Sequence, residues 1–321
     1  MRPSTYIAVF LFGMLLQPAS RSQTNSYVEL PKIGHFYDVD SRQVLPALGI
    51  PGAAFIGPAI EFPLAVEDAA IPPSPDWMLA AAGRRLYVAH LKGNKTSLQA
   101  IEEVAAGVDR VILSPRGHTA LLYRHGAEKS IEIVTGLPAT PAVQRKVDVS
   151  MWDLNPAYFA VSDDGASAAA ALRTGGVLWL EGSVIRLVPT EVPAGPCAFA
   201  PDGSTAVITA GSRAFLMRGS SMFPGEMLPL PHRQEPVAGV ALASATRVFL
   251  AYHTGLIESV ETTTGISRQA ECHCKPESIH PVMGDSLFHI RQSGGGPRLL
   301  LDGSGAAPSI LFVPLDREGS Q

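Results

Sequence analysis

Short apolar runs alternate along this chain with tight polar turns of the form Ser-Pro-x-Gly or Pro-Asp-Gly. The turn is Ser74-Pro75-Asp76-Trp77 before Met78-Leu79-Ala80-Ala81, and Ser114-Pro115-Arg116-Gly117 before Ala120-Leu121-Leu122-Tyr123. It returns as Ser162-Asp163-Asp164-Gly165 and Ala200-Pro201-Asp202-Gly203, with weaker echoes at Ser244-Ala245-Thr246 and Met283-Gly284-Asp285-Ser286. Their starts are 40, 48, 38, 44 and 39 residues apart. Pro presets φ at the first turn position, Asp bonds its own backbone and Gly accepts positive φ, so each marker predicts a reversal between antiparallel strands. A second hairpin follows within each unit, as in Val177-Leu178-Trp179-Leu180, a turn at Glu181-Gly182-Ser183, and Val184 to Val188. That gives four strands per unit, apolar almost throughout, as strands buried on both faces must be.

A period of about 40 to 45 residues with several strands and no long helix predicts the blades of an all-β propeller. Six marked units run from about Ala70 to about Asp302, with strand-like sequence left at both ends: His35 to Val39 and Gln43 to Pro46 in front, Ser309 to Val313 behind. The expectation is seven blades over residues 33–316, with an incomplete N-terminal blade finished by the C-terminal strand so that no edge is left open. Six blades is the alternative. The Ala-rich run Ala166 to Leu172 has helical propensity, but its phase after a turn marker predicts a strand, its small side chains suiting a place near the crowded axis. Ser97 to Val104 reads as an outer strand, with a short amphipathic helix as the alternative.

Composition sharpens this. Gly and Pro together make 57 of 321 residues, scattered rather than clustered, which fits recurrent turns and argues against a helical bundle. With 46% hydrophobic and 17% charged residues the chain is too apolar for disorder. Residues 1–22 read as a secretory signal peptide: Arg2, an apolar run from Tyr6 to Leu16, then Ser20-Arg21-Ser22 before Gln23. Eleven apolar residues fall short of the ~20 that cross a bilayer, and no later segment is long enough either. The expected product is an exported chain, periplasmic or extracellular, with a flexible segment at 23–32, a tail at 317–321 and no transmembrane segment. Cleavage takes the formal charge from −4 to −6, which with basic pairs no longer than Arg84-Arg85 and Arg145-Lys146 excludes nucleic acid as a partner.

The turn Phe199-Ala200-Pro201-Asp202-Gly203, with Ser114-Pro115-Arg116-Gly117, resembles those of exported bacterial propellers in the broad WD40-like and YVTN-like groups. The ending Leu301-Asp302-Gly303 followed by Leu311-Phe312-Val313-Pro314 resembles uncharacterised secreted proteins of soil bacteria such as Acidobacteria. The resemblance spans 33–316 by rhythm. It departs from a strict WD40 frame, because the only Trp-Asp pair, Trp152-Asp153, precedes a new unit and Gly117-His118 falls inside a turn. It carries no common activity to transfer.

Candidate chemistry is sparse. Cys272-His273-Cys274, with His280 and His289 near in sequence, is a metal set only if its sulfurs converge; strand alternation turns His273 away from them, and in an oxidising compartment a local disulfide competes. A bridge from Cys197 would have to span about two blades, beyond the ~7 Å Cα limit. Asp38-Val39-Asp40 and Asp163-Asp164-Gly165 are fragments of a calcium loop that lack its bidentate Glu and read as turns. No nucleophile, zinc-protease or phosphate-loop motif occurs, so no catalytic, cofactor or metal residue is assigned. The expectation is a monomeric, non-enzymatic propeller that binds a protein or envelope component. The alternative is a hydrolase or lactonase-like enzyme whose residues converge at the channel mouth, with His118, His253 and Arg173 as candidates. Two or more acids or histidines in the channel would favour the enzyme; Ala, Ser and backbone would count against it.

Overall fold

Each of the six marked turns joins the first strand of a sheet to its second. The computed structural model describes residues 30–92, 95–126, 128–218, 228–230, 234–293 and 297–314. The expected signal at 1–22, residues 23–29 of the flexible segment and the 317–321 tail lie outside them. Seven antiparallel sheets follow one another along the chain, and no helix occurs among the described residues. Blade 1 has three strands (Lys32–Asp38, Gln43–Ile50, Ala53–Ile56) and the other six have four each, beginning at Asp68, Arg110, Leu154, Ala194, Val237 and Pro276. In each blade the strands pair in sequence order, so the first strand is the innermost and a seven-bladed β-propeller results.

The near-continuous apolar runs have a direct explanation. In the second strand of blade 3, Leu121 and Tyr123 pack against blade 4, while Ala120 and Leu122 pack against blade 2. Both faces of the strand are therefore interior, and every one of the seven blade-to-blade interfaces has its own apolar cluster. The Ala-rich run is a strand, Ser167–Leu172, but it is second from the axis and not innermost. Its small side chains make room for neighbouring rings: Ala168 and Ala170 share a cluster with Tyr123 and Phe159, and Ala169 and Ala171 one with Trp179 and Phe199. The ambiguous segment at Ser97 belongs to the outer strand Lys95–Ala100 of blade 2, with turns beyond it.

Ring closure differs from expectation. Ser309–Val313 pairs with Arg298–Asp302 and completes blade 7 itself, instead of finishing blade 1. A hairpin across Gly303 to Pro308 costs less loop-closure entropy than a strand carried over to another sheet. The ring closes instead through side chains: Ile33, Phe36 and Ala47 of blade 1 pack on Val282, Leu287, Leu300 and Val313 of blade 7. Arg298 adds an ion pair to Asp38 at 3.0 Å, and the Ile56 amide donates to the Pro314 carbonyl at 2.8 Å.

The aspartates of the turns act as the turn chemistry requires. Asp38, Asp164 and Asp202 each accept the backbone amide two residues on, and Asp163 accepts the Arg116 amide of blade 3. These carboxylates are engaged in building turns, and among the described residues neither calcium-loop fragment gathers a ligand set.

Candidate functional site: the central channel

The seven innermost strands run side by side around a central cavity of about 280 Å³. Its wall has two unlike halves. Blades 4 to 6 contribute apolar groups, among them Tyr158, Phe159, Ala198, Ala238 and Val240, with the lone thiol of Cys197. Blades 7, 1, 2 and 3 contribute Glu277, Ser278, His280, His289, Arg291, His35, Tyr37, Asp68 and Arg110.

Register explains how blade 7 supplies five of these. Ser278 stands opposite Arg291 and His280 opposite His289, so both pairs project from one face into the channel. The register shifts between Pro276 and Ser278 and again between Pro281 and Met283, and these bulges set the direction of the polar side chains between them. Asp68 and Arg110 are the first residues of their innermost strands, and Glu277 is the second of its own, so the charged groups gather where those strands begin.

Close approach of backbones shapes the same wall. A Cβ at Gly239 would lie 2.9 Å from the Ser278 Cα and the Ile279 nitrogen. Only glycine lets the innermost strands of blades 6 and 7 meet in this way. Gly239→Ala is expected to cost about 2 kcal/mol, since rigid backbone rather than a movable side chain must give. Thermal unfolding of the variant checks this, and an unchanged midpoint would contradict it.

The electrostatics follow from confinement. Burial, with Lys32 nearby, pushes His35 down to about 4. His280 lines the channel and is exposed by its surface area; the protein gathered around it, with Arg291 and Arg110, lowers it to about 4. Burial and the His280, Arg298 and Arg291 side chains lower His289 to about 3. All three imidazoles are thus neutral at pH 7. Burial raises Asp68, with Arg110 and the amides of Ala69 and Val111 partly offsetting it. Glu277 pairs with the Arg291 Nε at 3.5 Å.

Ser278 Oγ lies 2.8 Å from His280 Nε2, the geometry of a nucleophile and its base. A base held near 4 has little driving force for taking a hydroxyl proton at neutral pH, and among the described residues no carboxylate hydrogen-bonds its other nitrogen. Cys197 is no better a nucleophile, because burial pushes its thiol up to about 12. The arrangement is suited to holding a ligand by hydrogen bonds and charge.

The fold is that of a seven-bladed β-propeller. No protein-family model and no curated protein matches the chain, but solved structures do. A functionally unknown protein from Desulfotomaculum acetoxidans superposes with a TM-score of 0.58 at 11% identity, over 89% of this chain and 100% of that one. Chaetomium thermophilum Sqt1, in a structure bound to the N-terminus of the ribosomal protein L10, gives 0.53 at 14% identity over 87% and 82%. A chain of the mitotic checkpoint complex gives 0.52 at 12% identity over 75% of each.

The candidates read from sequence are not brought together. His118 is exposed where the second strand of blade 3 begins, while Arg173 and His253 lie in turns between second and third strands, in blades 4 and 6. None of them lines the cavity; Arg173 instead lies 3.8 Å from Asp153. Cys272 and Cys274 are joined to each other by a disulfide with Cα atoms 5.1 Å apart, so their sulfurs hold one another and no metal. His273 between them takes φ 51° and points outward with its side chain 83% exposed, while Cys197 stays free. Of the polar residues that line the channel, the sequence singled out only His280 and His289, as companions of the cysteines; the others were missed because four separate blades supply them. The one linear trace is Glu277-Ser278-x-His280, a cluster of polar residues in a strand of otherwise apolar residues.

Proposed function

We propose that this chain is an exported, non-enzymatic propeller that binds a partner protein along the outer edge of blade 4. The observation that carries this is the outermost strand Val184–Val188, where Val184, Ile185 and Leu187 are 44%, 40% and 49% exposed. The outer strands of blades 2, 3 and 6 read Lys95–Ala100, Ala142–Asp148 and Ser267–Glu271, with charged or polar residues at every exposed position except Ala142. An unpaired edge left apolar invites another strand, and natural sheets guard against that unless the pairing is wanted. WD40-like neighbours that sit in protein complexes, such as Sqt1 bound to the N-terminus of ribosomal protein L10, give the reading a precedent in fold. The signal-like segment before Gln23 supports export.

Crosslinking capture from the exported fraction tests it, with the wild-type chain beside Ile185→Asp/Leu187→Asp. A specific protein retained by the wild type and lost by the variant is expected. Equal capture by both would overturn the reading, as would recovery of the chain in the cytoplasm with residues 1–22 attached.

A second reading, hydrolysis at the channel mouth, is favoured by the Ser278–His280 pair and by the several acids and histidines of the channel. The low basicity of His280 counts against it.

A further inference from the structure

The channel contains groups that the fold does not use. His35 is 2% exposed in the channel wall, and neither of its ring nitrogens has a hydrogen-bond partner among the described residues. Leaving a buried polar group unsatisfied costs about 1–3 kcal/mol, so a hydrogen-bonding occupant would relieve a standing cost. Arg110 is the second such group. Its guanidinium makes no hydrogen bond or ion pair with any described residue, although it faces the cavity near Asp68 and His280. Arg291 is already engaged by Glu277, and Asp38 by Arg298.

We propose that the channel binds a small organic monoanion, with its carboxylate on the Arg110 guanidinium and its apolar body against the Tyr158, Cys197 and Val240 arc. Guanidinium recognises carboxylate through paired, charge-assisted hydrogen bonds. Charge count sets the valence. Arg110 and Arg291 equal Asp68 and Glu277 in number, so a dianion such as phosphate would bring two charges to a wall with none in excess, and a monoanion only one. The apolar half sets the body of the ligand, and a cavity of about 280 Å³ limits it to a small molecule. Neutral imidazoles at His35, His280 and His289 can donate or accept hydrogen bonds without adding charge. This site is separate from the blade 4 edge, and its occupancy does not depend on a protein partner.

Calorimetric titration of the mature chain with hexanoate, hexanol and inorganic phosphate tests the proposal. Hexanoate is expected to bind saturably at one site, with hexanol and phosphate at least about tenfold weaker, about 1.4 kcal/mol. Arg110→Gln should weaken hexanoate by a similar factor, whereas Arg173→Gln, outside the cavity, should not. Histidine ring resonances of the wild type give a readout that needs no variant: hexanoate should shift His35, His280 and His289 and leave His118 and His253 in place. Failure of hexanoate to saturate, equal binding of phosphate, or unmoved channel histidines would each overturn the assignment.

Discussion

Replacing Glu132 by alanine is expected to lower the unfolding free energy by about 3–5 kcal/mol, the usual cost of stranding a buried charge. Arg124 and Glu132 lie on adjacent strands of blade 3, and the guanidinium donates to both carboxylate oxygens at 2.6 and 2.8 Å. Their side chains are only 10% and 4% exposed, so neither charge is screened by water. Arg124 also donates to the Ala105 carbonyl at 2.8 Å, and Lys146 of the outer strand approaches Glu132 at 3.7 Å. Without the acid, Arg124 is left in the interior with the Ala105 carbonyl as its acceptor, while the half-exposed Lys146 can turn to water. Glu132→Gln keeps an acceptor and should cost less than the alanine. By contrast, Arg213→Ala, which breaks an exposed pair to Glu191, should change stability little. Urea unfolding of the three variants separates these outcomes, and a loss below about 1 kcal/mol for Glu132→Ala would show that the pair is not the strong element its burial implies.

Much of the fold could be read from the sequence, because propeller blades repeat the same local problem. Every innermost strand must reverse into its neighbour, and the residues that make such a reversal cheap recur at the markers from Ser74 to Met283. The seventh turn, Val39 to Arg42, carries no Pro or Gly and was visible only as the gap in a hairpin; Arg42 takes φ 55° in a place where glycine is usual. Closure was misread for a physical reason. A strand at the chain end can complete either its own sheet or the first one, and the two choices leave the same apolar pattern in Ser309–Val313. What decides between them is the short Gly303 turn and the packing of Phe36, Val282 and Leu300, which linear order does not reveal. The channel was still less visible. His35, Asp68, Arg110 and Arg291 are separated by up to 256 positions and become neighbours only when blade 7 returns to blade 1. Residues such as His118 and His253, chosen as polar positions at strand ends, stand on turns outside the cavity.

The channel histidines make stability depend on acidity. In the unfolded chain a histidine titrates near 6.5, whereas His35 in the folded protein does so at about 4. Between those values the unfolded state binds the extra proton, so stability is full above pH 6.5 and is lost as pH falls towards 4. For His35, which is almost wholly enclosed, the loss across that window is about 3 kcal/mol, of which about 2 falls between pH 7.5 and 5. His280 and His289, lowered to about 4 and about 3, act in the same direction, though His280 meets channel water and contributes less than its shift alone implies. Asp68 works the other way: its raised carboxyl favours the folded state as it protonates, in a window just above the ordinary carboxylate value. Of the three histidines His35 is the most enclosed, and among the described residues neither of its ring nitrogens has a hydrogen bond to lose. His35→Leu should therefore flatten the difference in unfolding free energy between pH 7.5 and 5 by about 2 kcal/mol. Denaturant titrations of both chains at the two pH values measure it. Parallel pH profiles would mean that His35 finds a partner for its charge, and that the channel wall is more open than its enclosure indicates.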